Sequence, residues 1–203
     1  MNNIDVLLAT TNKGKAIEIG EVLQDLDISL ISLFDLSDPP VQPDEIGETF
    51  EENAVDKAKY YFDQTKMVSI ADDSGIHIDI LSGELGIHTR RWGAGEKASD
   101  EEWISYFLDR MRHEENKYAE FVSVIALADG ESVRTFEGRC RGVITDDLEA
   151  DYLPGLPISA CFRPDGFDKV FSALSVEEKN SISHRGEAVG KLKDFILKHV
   201  GTK

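Results

Sequence analysis

Ile70-Ala71-Asp72-Asp73-Ser74-Gly75 sets two adjacent carboxylates and a hydroxyl at the end of a short apolar run, Met67, Val68 and Ile70. Successive side chains on a strand point to opposite faces, so Asp72 and Asp73 cannot both enter the core. One of them must face a cleft, a metal or another polar group. The same Asp-Ser-Gly triplet also fits a tight turn held by Asx-type hydrogen bonds.

Thr10-Thr11-Asn12-Lys13-Gly14-Lys15 follows an apolar strand and opens a helix, where backbone N–H groups and the positive end of the dipole suit a phosphate. Thr10 and Asn12 add side-chain donors, and Lys15 adds a charge one turn in. This is not a Walker A loop, because the first glycine is missing and Ala16 stands where Ser or Thr would hold Mg²⁺. An Asn12 N-cap with solvated lysines is the other reading.

Glu45 lies on the Pro-rich lead from Pro39 to Asp44, ahead of a helix that carries Asn53 and Lys57 on one face. With Asp72 and Asp73 it would make an oxygen-rich set suited to Mg²⁺ or Mn²⁺, and no Cys/His spacing suggests zinc. It reads equally as one of many surface acids. Glu52 is assigned to the capping box of that helix. In Lys179-Asn180-Ser181-Ile182-Ser183-His184-Arg185-Gly186, Ser183 is placed to cap the last helix, with His184 and Arg185 in its first turn. A cation there opposes the helix dipole by about 0.3–1 kcal/mol, so Arg185 needs a partner, either a ligand or a nearby acid.

The elements that must position these residues alternate. The pattern predicts a strand over 6–9, an amphipathic helix over 12–26, a strand over 28–33 and a capped helix over 49–64. Strands at 67–72 and 76–80 follow, then a Gly-rich loop to Ala98 and a helix capped by Asp100. A hairpin spans 121–144 around Asp129-Gly130, a loop carries Pro154, Pro157 and Pro164, and a helix closes the chain from His184 to Val200. The sheet is expected to be mixed, since a hairpin is antiparallel while the earlier crossovers suit parallel strands.

At 203 residues the chain fits a single domain over 1–203, or one domain with two lobes, with no linker, internal repeat or apolar stretch near the length of a membrane span. The start, Met1-Asn2-Asn3-Ile4-Asp5, lacks the basic and apolar regions of a signal peptide, which predicts a cytoplasmic protein without a membrane partner. Cys140 and Cys161 are isolated and are expected to be reduced, buried and structural. With 39 Asp+Glu against 22 Lys+Arg, the net charge of −17 repels a phosphate polymer, which argues against extended nucleic acid. A small polyphosphate remains compatible if a divalent metal and a local basic cluster carry its charge.

Thr10-x-Asn12-x-x-Lys15, Thr49-Phe50-x-Glu52-Asn53-Ala54-x-x-Lys57-Ala58, Ala71-Asp72-Asp73-Ser74-Gly75, Gly86-Ile87 with Arg91, Gly138-x-x-x-Gly142-Val143-Ile144 and Ser183-His184-Arg185-Gly186 occur in the order seen in the inosine triphosphate pyrophosphatase family. The chain resembles that family from Val6 to the last helix. The resemblance implies an α/β fold with a long mixed β-sheet flanked by helices, two lobes with a nucleotide-binding cleft between them, and a homodimer. It implies that Thr10, Asn12 and Lys15 hold the triphosphate with help from Lys57, that Glu45 and Asp73 bind Mg²⁺, with Mn²⁺ as an alternative and Asp72 as a further candidate ligand, and that Ser74 contacts phosphate. Asp73, with Lys57 beside it, would orient or deprotonate the water that attacks the α-phosphorus. The implied substrates are non-standard purine nucleoside triphosphates of the ITP, dITP and XTP type, cleaved to monophosphate and pyrophosphate.

The chain departs from the family at Leu156-Pro157-Ile158-Ser159-Ala160-Cys161-Phe162, where relatives carry Phe-Gly-Tyr-Asp-Pro and use the aromatic ring and the Asp on the base. Leu156 and Ser159 stand in those two places. Lys179, His184 and Arg185 resemble the other base-side contacts, and such donors favour a 6-oxo acceptor over a 6-amino group. His88-Thr89-Arg90 is a second departure. Two alternatives follow: an NTP pyrophosphatase with a different or broader base preference, and a non-catalytic nucleotide-binding protein. The presence of Glu45, Asp72, Asp73 and Lys15 together weighs against the second.

Overall fold

The computed structural model describes residues 4–95 and 97–199. Met1, Asn2 and Asn3, read above for a targeting signal, and Val200, expected to end the last helix, lie outside them. The order is β1 (Ile4–Leu8), α1 (Lys13–Leu23), β2 (Ile28–Ser32), α2 (Phe50–Thr65), β3 (Val68–Ile78), α3 (Asp100–Met111), β4 (Tyr118–Ala128), β5 (Val133–Ile144), β6 (Phe162–Pro164), α4 (Val176–Ile182) and α5 (His184–His199). One mixed sheet runs β2-β1-β3-β4-β5-β6, parallel from β2 to β3 and antiparallel from β3 to β6.

Local chemistry explains most boundaries. Asn12 caps α1, Thr49 caps α2, and Ser99, one residue before the expected Asp100, caps α3 in a box with Glu102. Glu52 turns its carboxylate to the Glu48 N–H at 2.7 Å, so the α2 cap is only half a box. The β4–β5 turn is closed by Asp129, whose carboxylate accepts from the Glu131 and Ser132 N–H groups. The short α4 was not expected, although Ser175 and Glu178 form a capping box at its start. α2 ends at Lys66, the one non-glycine residue with positive φ among the described residues, at 59°. A Cβ is strained there, so Lys66→Gly is expected to raise stability by about 0.5–1 kcal/mol, read as a higher urea midpoint.

The strands expected at 67–72 and 76–80 are one. β3 runs unbroken beside β4 from Ser69 opposite Ala128 to Ile78 opposite Ala119, and Asp-Ser-Gly makes no turn. The polar side chains that would stabilise an Asx turn are taken up by groups distant in sequence, as described below. Gly75 permits this course, since a Cβ on it would lie 2.2 Å from the Gly86 carbonyl oxygen.

Strand alternation divides the core. Ile70 faces α1 and α5 in a cluster with Ile19, Leu23, Val189 and Leu192, while Ala71 faces α2 with Ala54, Ala58 and Tyr61. Further along β3, Ile76 and Ile78 join Trp103, Phe107, Phe162 and Phe171 in a third cluster. Cys161 is buried and Cys140 half-buried, and both are free; burial, with Asp165 near Cys140 and Glu149 near Cys161, pushes each thiol up to about 12, so neither is a nucleophile near neutral pH. Among the described residues, no helix is long and apolar enough to cross a membrane.

Candidate active site

A cleft of about 930 Å³ carries the middle of β3 on its floor. Asp73 faces α2. Its carboxylate accepts from Asn53 Nδ2 at 3.1 Å and lies 3.5 Å from Lys57 Nζ, which reaches Glu45 at 2.7 Å and the Asp72 carbonyl at 2.8 Å. Asn53 also accepts from the Gly47 N–H at 2.8 Å, which fixes the segment that carries Glu45. Burial, together with the nearby Glu45 and Asp72 carboxylates, raises the Asp73 carboxyl above its usual value in spite of Lys57 and Lys15. Burial would lower the Lys57 ammonium, but Asp73 and Glu45 outweigh it and keep the group charged.

Asp72 faces the other way, towards α1 and α5. It is wholly buried, with Lys15 Nζ at 2.7 Å, Arg185 at 3.5 Å and Ser123 Oγ at 2.6 Å. Burial would raise its carboxyl, but Lys15 and Arg185 outweigh that and hold it well below the usual range. Arg185 also donates to Ser74 Oγ at 2.8 Å and to Glu18 at 2.5 Å, and Glu18 takes a further ion pair from Lys179. Arg185 therefore has its counter-charges inside the fold, which resolves its misplacement at the start of α5. Ser183 caps that helix, accepting from the Gly186 N–H at 2.9 Å.

The oxygen-rich set expected for a divalent metal is thus brought together only in part. Glu45 and Asp73 converge on one ammonium, whereas Asp72 lies on the opposite face of the sheet, committed to Lys15 and Arg185. Among the described residues no group of three or more His, Cys, Asp or Glu side chains gathers. Two carboxylates with no nitrogen or sulfur donor fit Mg²⁺, which characteristically takes one or two carboxylates and completes its shell with water and substrate phosphates.

At the start of α1, Asn12 spends its amide on structure, accepting from the Lys15 N–H and donating to the Gly155 carbonyl, both at 3.0 Å. Gly14 N–H donates to the Pro154 carbonyl at 3.1 Å, so the expected phosphate cradle is narrower than a bare helix end. Thr10 and Lys15 line the cleft beside it. At the far end, Leu156 packs on Gly14 and the Ser159 hydroxyl donates to the Leu156 carbonyl at 2.6 Å. His184 stacks on Phe121 with 4.6 Å between centroids and 11° between planes; burial and Arg185 hold its ring well below the usual value, so it is neutral near pH 7.

The structure adds Glu18, Asn53, Ser123 and Trp103 to the residues expected at the site. Asn53 was readable as the partner of Lys57 on one helix face. Glu18 carried no comparable signal, since its partners lie 161 and 167 residues away. Buried carboxylates and lysines gathered at one cleft of an α/β framework make a site fit for a small polyphosphate. A sequence model of the Ham1 family matches residues 6–195, and the chain belongs to the Ham1 family. It is 36% identical over 189 residues to a dITP/XTP pyrophosphatase of Leptospira interrogans, covering 93% of this chain and 95% of that one. It is also 36% identical over 195 residues to a dITP/XTP pyrophosphatase of Aquifex aeolicus, covering 92% and 94%. A HAM1 protein from Coxiella burnetii superposes with a TM-score of 0.80 at 31% identity, covering 96% of this chain and 99% of that one. The Ham1 protein of Staphylococcus aureus does so with 0.79 at 32%, covering 98% and 100%.

Proposed function

We propose that this chain hydrolyses purine nucleoside triphosphates of the dITP, ITP and XTP type to the monophosphate and pyrophosphate, which clears them from the nucleotide pool. The observation that carries the reading is the division of Asp72 and Asp73 by strand alternation: one carboxylate anchors Lys15, the cation that meets phosphate, and the other keeps a raised proton affinity in the same cleft. Thr10, Lys15 and Ser74 take the triphosphate and Lys57 adds charge beside it. Asp73 orients a water and accepts its proton as the oxygen bonds to the α-phosphorus and the bond to the bridging oxygen breaks, releasing pyrophosphate. Glu45, Asp73 and the nucleotide itself would hold Mg²⁺, which neutralises charge on the phosphates. Lys179, His184 and Arg185 lie at the base end, with Leu156 as apolar contact. A homodimer and a cytoplasmic setting belong to the same reading.

Ser159 favours one variation. Its only proton is committed to the Leu156 carbonyl, so it meets the base only as a neutral acceptor, which supports a broader base preference than a carboxylate there would give. Pyrophosphate release from ITP, dITP, XTP, GTP, ATP and dUTP tests both readings. A clear excess for the first three supports the narrow one, comparable rates for GTP or ATP the broad one, and no release from any nucleotide refutes both. Lys15→Ala is expected to weaken every triphosphate to a similar degree, because it meets charge and not the base. A loss confined to one base would place Lys15 at the wrong end of the ligand.

A further inference from the structure

Among the described residues, five buried side-chain polar atoms have no hydrogen-bond partner: Tyr61 Oη, Trp103 Nε1, Arg163 Nε, His184 Nδ1 and Arg185 Nε. All except that of Arg163 belong to residues lining the cleft. Folded proteins leave few buried donors unmade, and their concentration here points to groups that a ligand supplies. His184 and Arg185 are already placed at the base end. Trp103 is not yet accounted for.

Trp103 lies in the first turn of α3, 3% exposed. Its ring is fixed by stacking on Phe107 at 5.3 Å and 15°, and by an edge contact with Trp92 at 6.3 Å. Asp100 accepts from the Gly155 N–H at 2.6 Å, which ties α3 to the loop that carries Leu156 and Ser159. The contrast with Trp92 is direct: that indole is less buried and donates to Glu84 at 3.1 Å. An indole N–H can donate and cannot accept. The loop beside it offers no competing side-chain donor, since Leu156 and Ile158 are apolar and the Ser159 proton is spent.

We propose that Trp103 is a specificity-determining residue whose indole N–H donates to a ring-carbonyl oxygen of the bound purine, selecting oxo-purines over bases with an amino group or a bare edge there. An amino group would set donor against donor. The inference rests on the reading that the cleft takes a purine nucleotide.

The test is calorimetric binding of xanthosine 5′-monophosphate, which has two ring carbonyls, and purine riboside 5′-monophosphate, which has none, to the parent and to Trp103→Phe. The substitution keeps a stacking ring and removes the donor. Xanthosine monophosphate binding is expected to weaken about tenfold, equivalent to about 1.4 kcal/mol, with purine riboside monophosphate unchanged. Equal weakening of both ligands, or no weakening of the first, overturns the proposal. Should the variant fail to fold, the parent answers through its two indole ¹⁵N–H resonances, assigned with Trp92→Phe. Xanthosine monophosphate must shift that of Trp103 and purine riboside monophosphate must leave it in place; any other pattern overturns the proposal. Parent protein that discriminates the two ligands through Trp103 but releases no pyrophosphate would sink the catalytic reading and leave this one standing, whereas failure to bind either ligand sinks both.

Discussion

Asp73→Asn protein is expected to fold as the parent does and to release pyrophosphate about 10²–10⁴-fold more slowly, the span a positioned general base commonly contributes. The amide has the same shape, can still accept from Asn53, and leaves Lys57 paired to Glu45, so the local packing survives. What it removes is a carboxylate able to take a proton and a charge able to hold a divalent cation. Chelation of divalent metal should abolish turnover of the parent as well. Near-parent turnover in Asp73→Asn, with thermal unfolding unchanged, would show that another group activates the water.

Arg185→Met should lower stability by about 3 kcal/mol, the low end of the cost of breaking a buried ion pair, because Glu18 keeps Lys179 and Asp72 keeps Lys15 but each loses one of its two counter-charges. The Arg185 side chain is 2% exposed, Glu18 7% and Asp72 0%. By contrast, the exposed pair Lys191 and Glu187 on α5, at 51% and 45%, is worth only about 0.3–0.5 kcal/mol. Urea unfolding reads the difference as a lower midpoint at unchanged slope. Acid sharpens the test through Glu18. Burial would raise its carboxyl, but Arg185 and Lys179 outweigh that and hold it below its ordinary value. Its contribution is therefore fully present above that ordinary value and is lost as pH falls through the depressed one. Arg185→Met should flatten this acid dependence. A change below 1 kcal/mol would mean that the network is solvated in practice.

How much of this was legible follows from where each signal lies. Thr49, Ser99 and Asp129-Gly130 shape backbone within three or four residues of themselves, so α2, α3 and the hairpin could be read with errors of one to three residues at their ends. The course of β3 could not. Asp-Ser-Gly carries a turn signal, and what overrides it is Lys15 and Arg185, cations 57 and 113 residues from Asp72 that consume its carboxylate. The lone pairs that would have closed an Asx turn are already committed. Alternation along the strand already set Asp72 and Asp73 on opposite faces; what stayed hidden was which face carries Lys15 and Arg185, and so Asp72 was grouped with Glu45 and Asp73. Glu18 carried no signal in the sequence because its partners sit in the last quarter of the chain.

The reach of that network bears on how the protein is made. Glu18 and Arg185 stand 167 residues apart, so the bond that completes the cleft is among the last a chain growing from its N-terminus can form. Until α5 leaves the ribosome, Glu18 and Asp72 lack the guanidinium that neutralises them, and the half-built sheet must stay open to water around its own acids. A chain interrupted before α5 would therefore hold neither a finished site nor a dry interior.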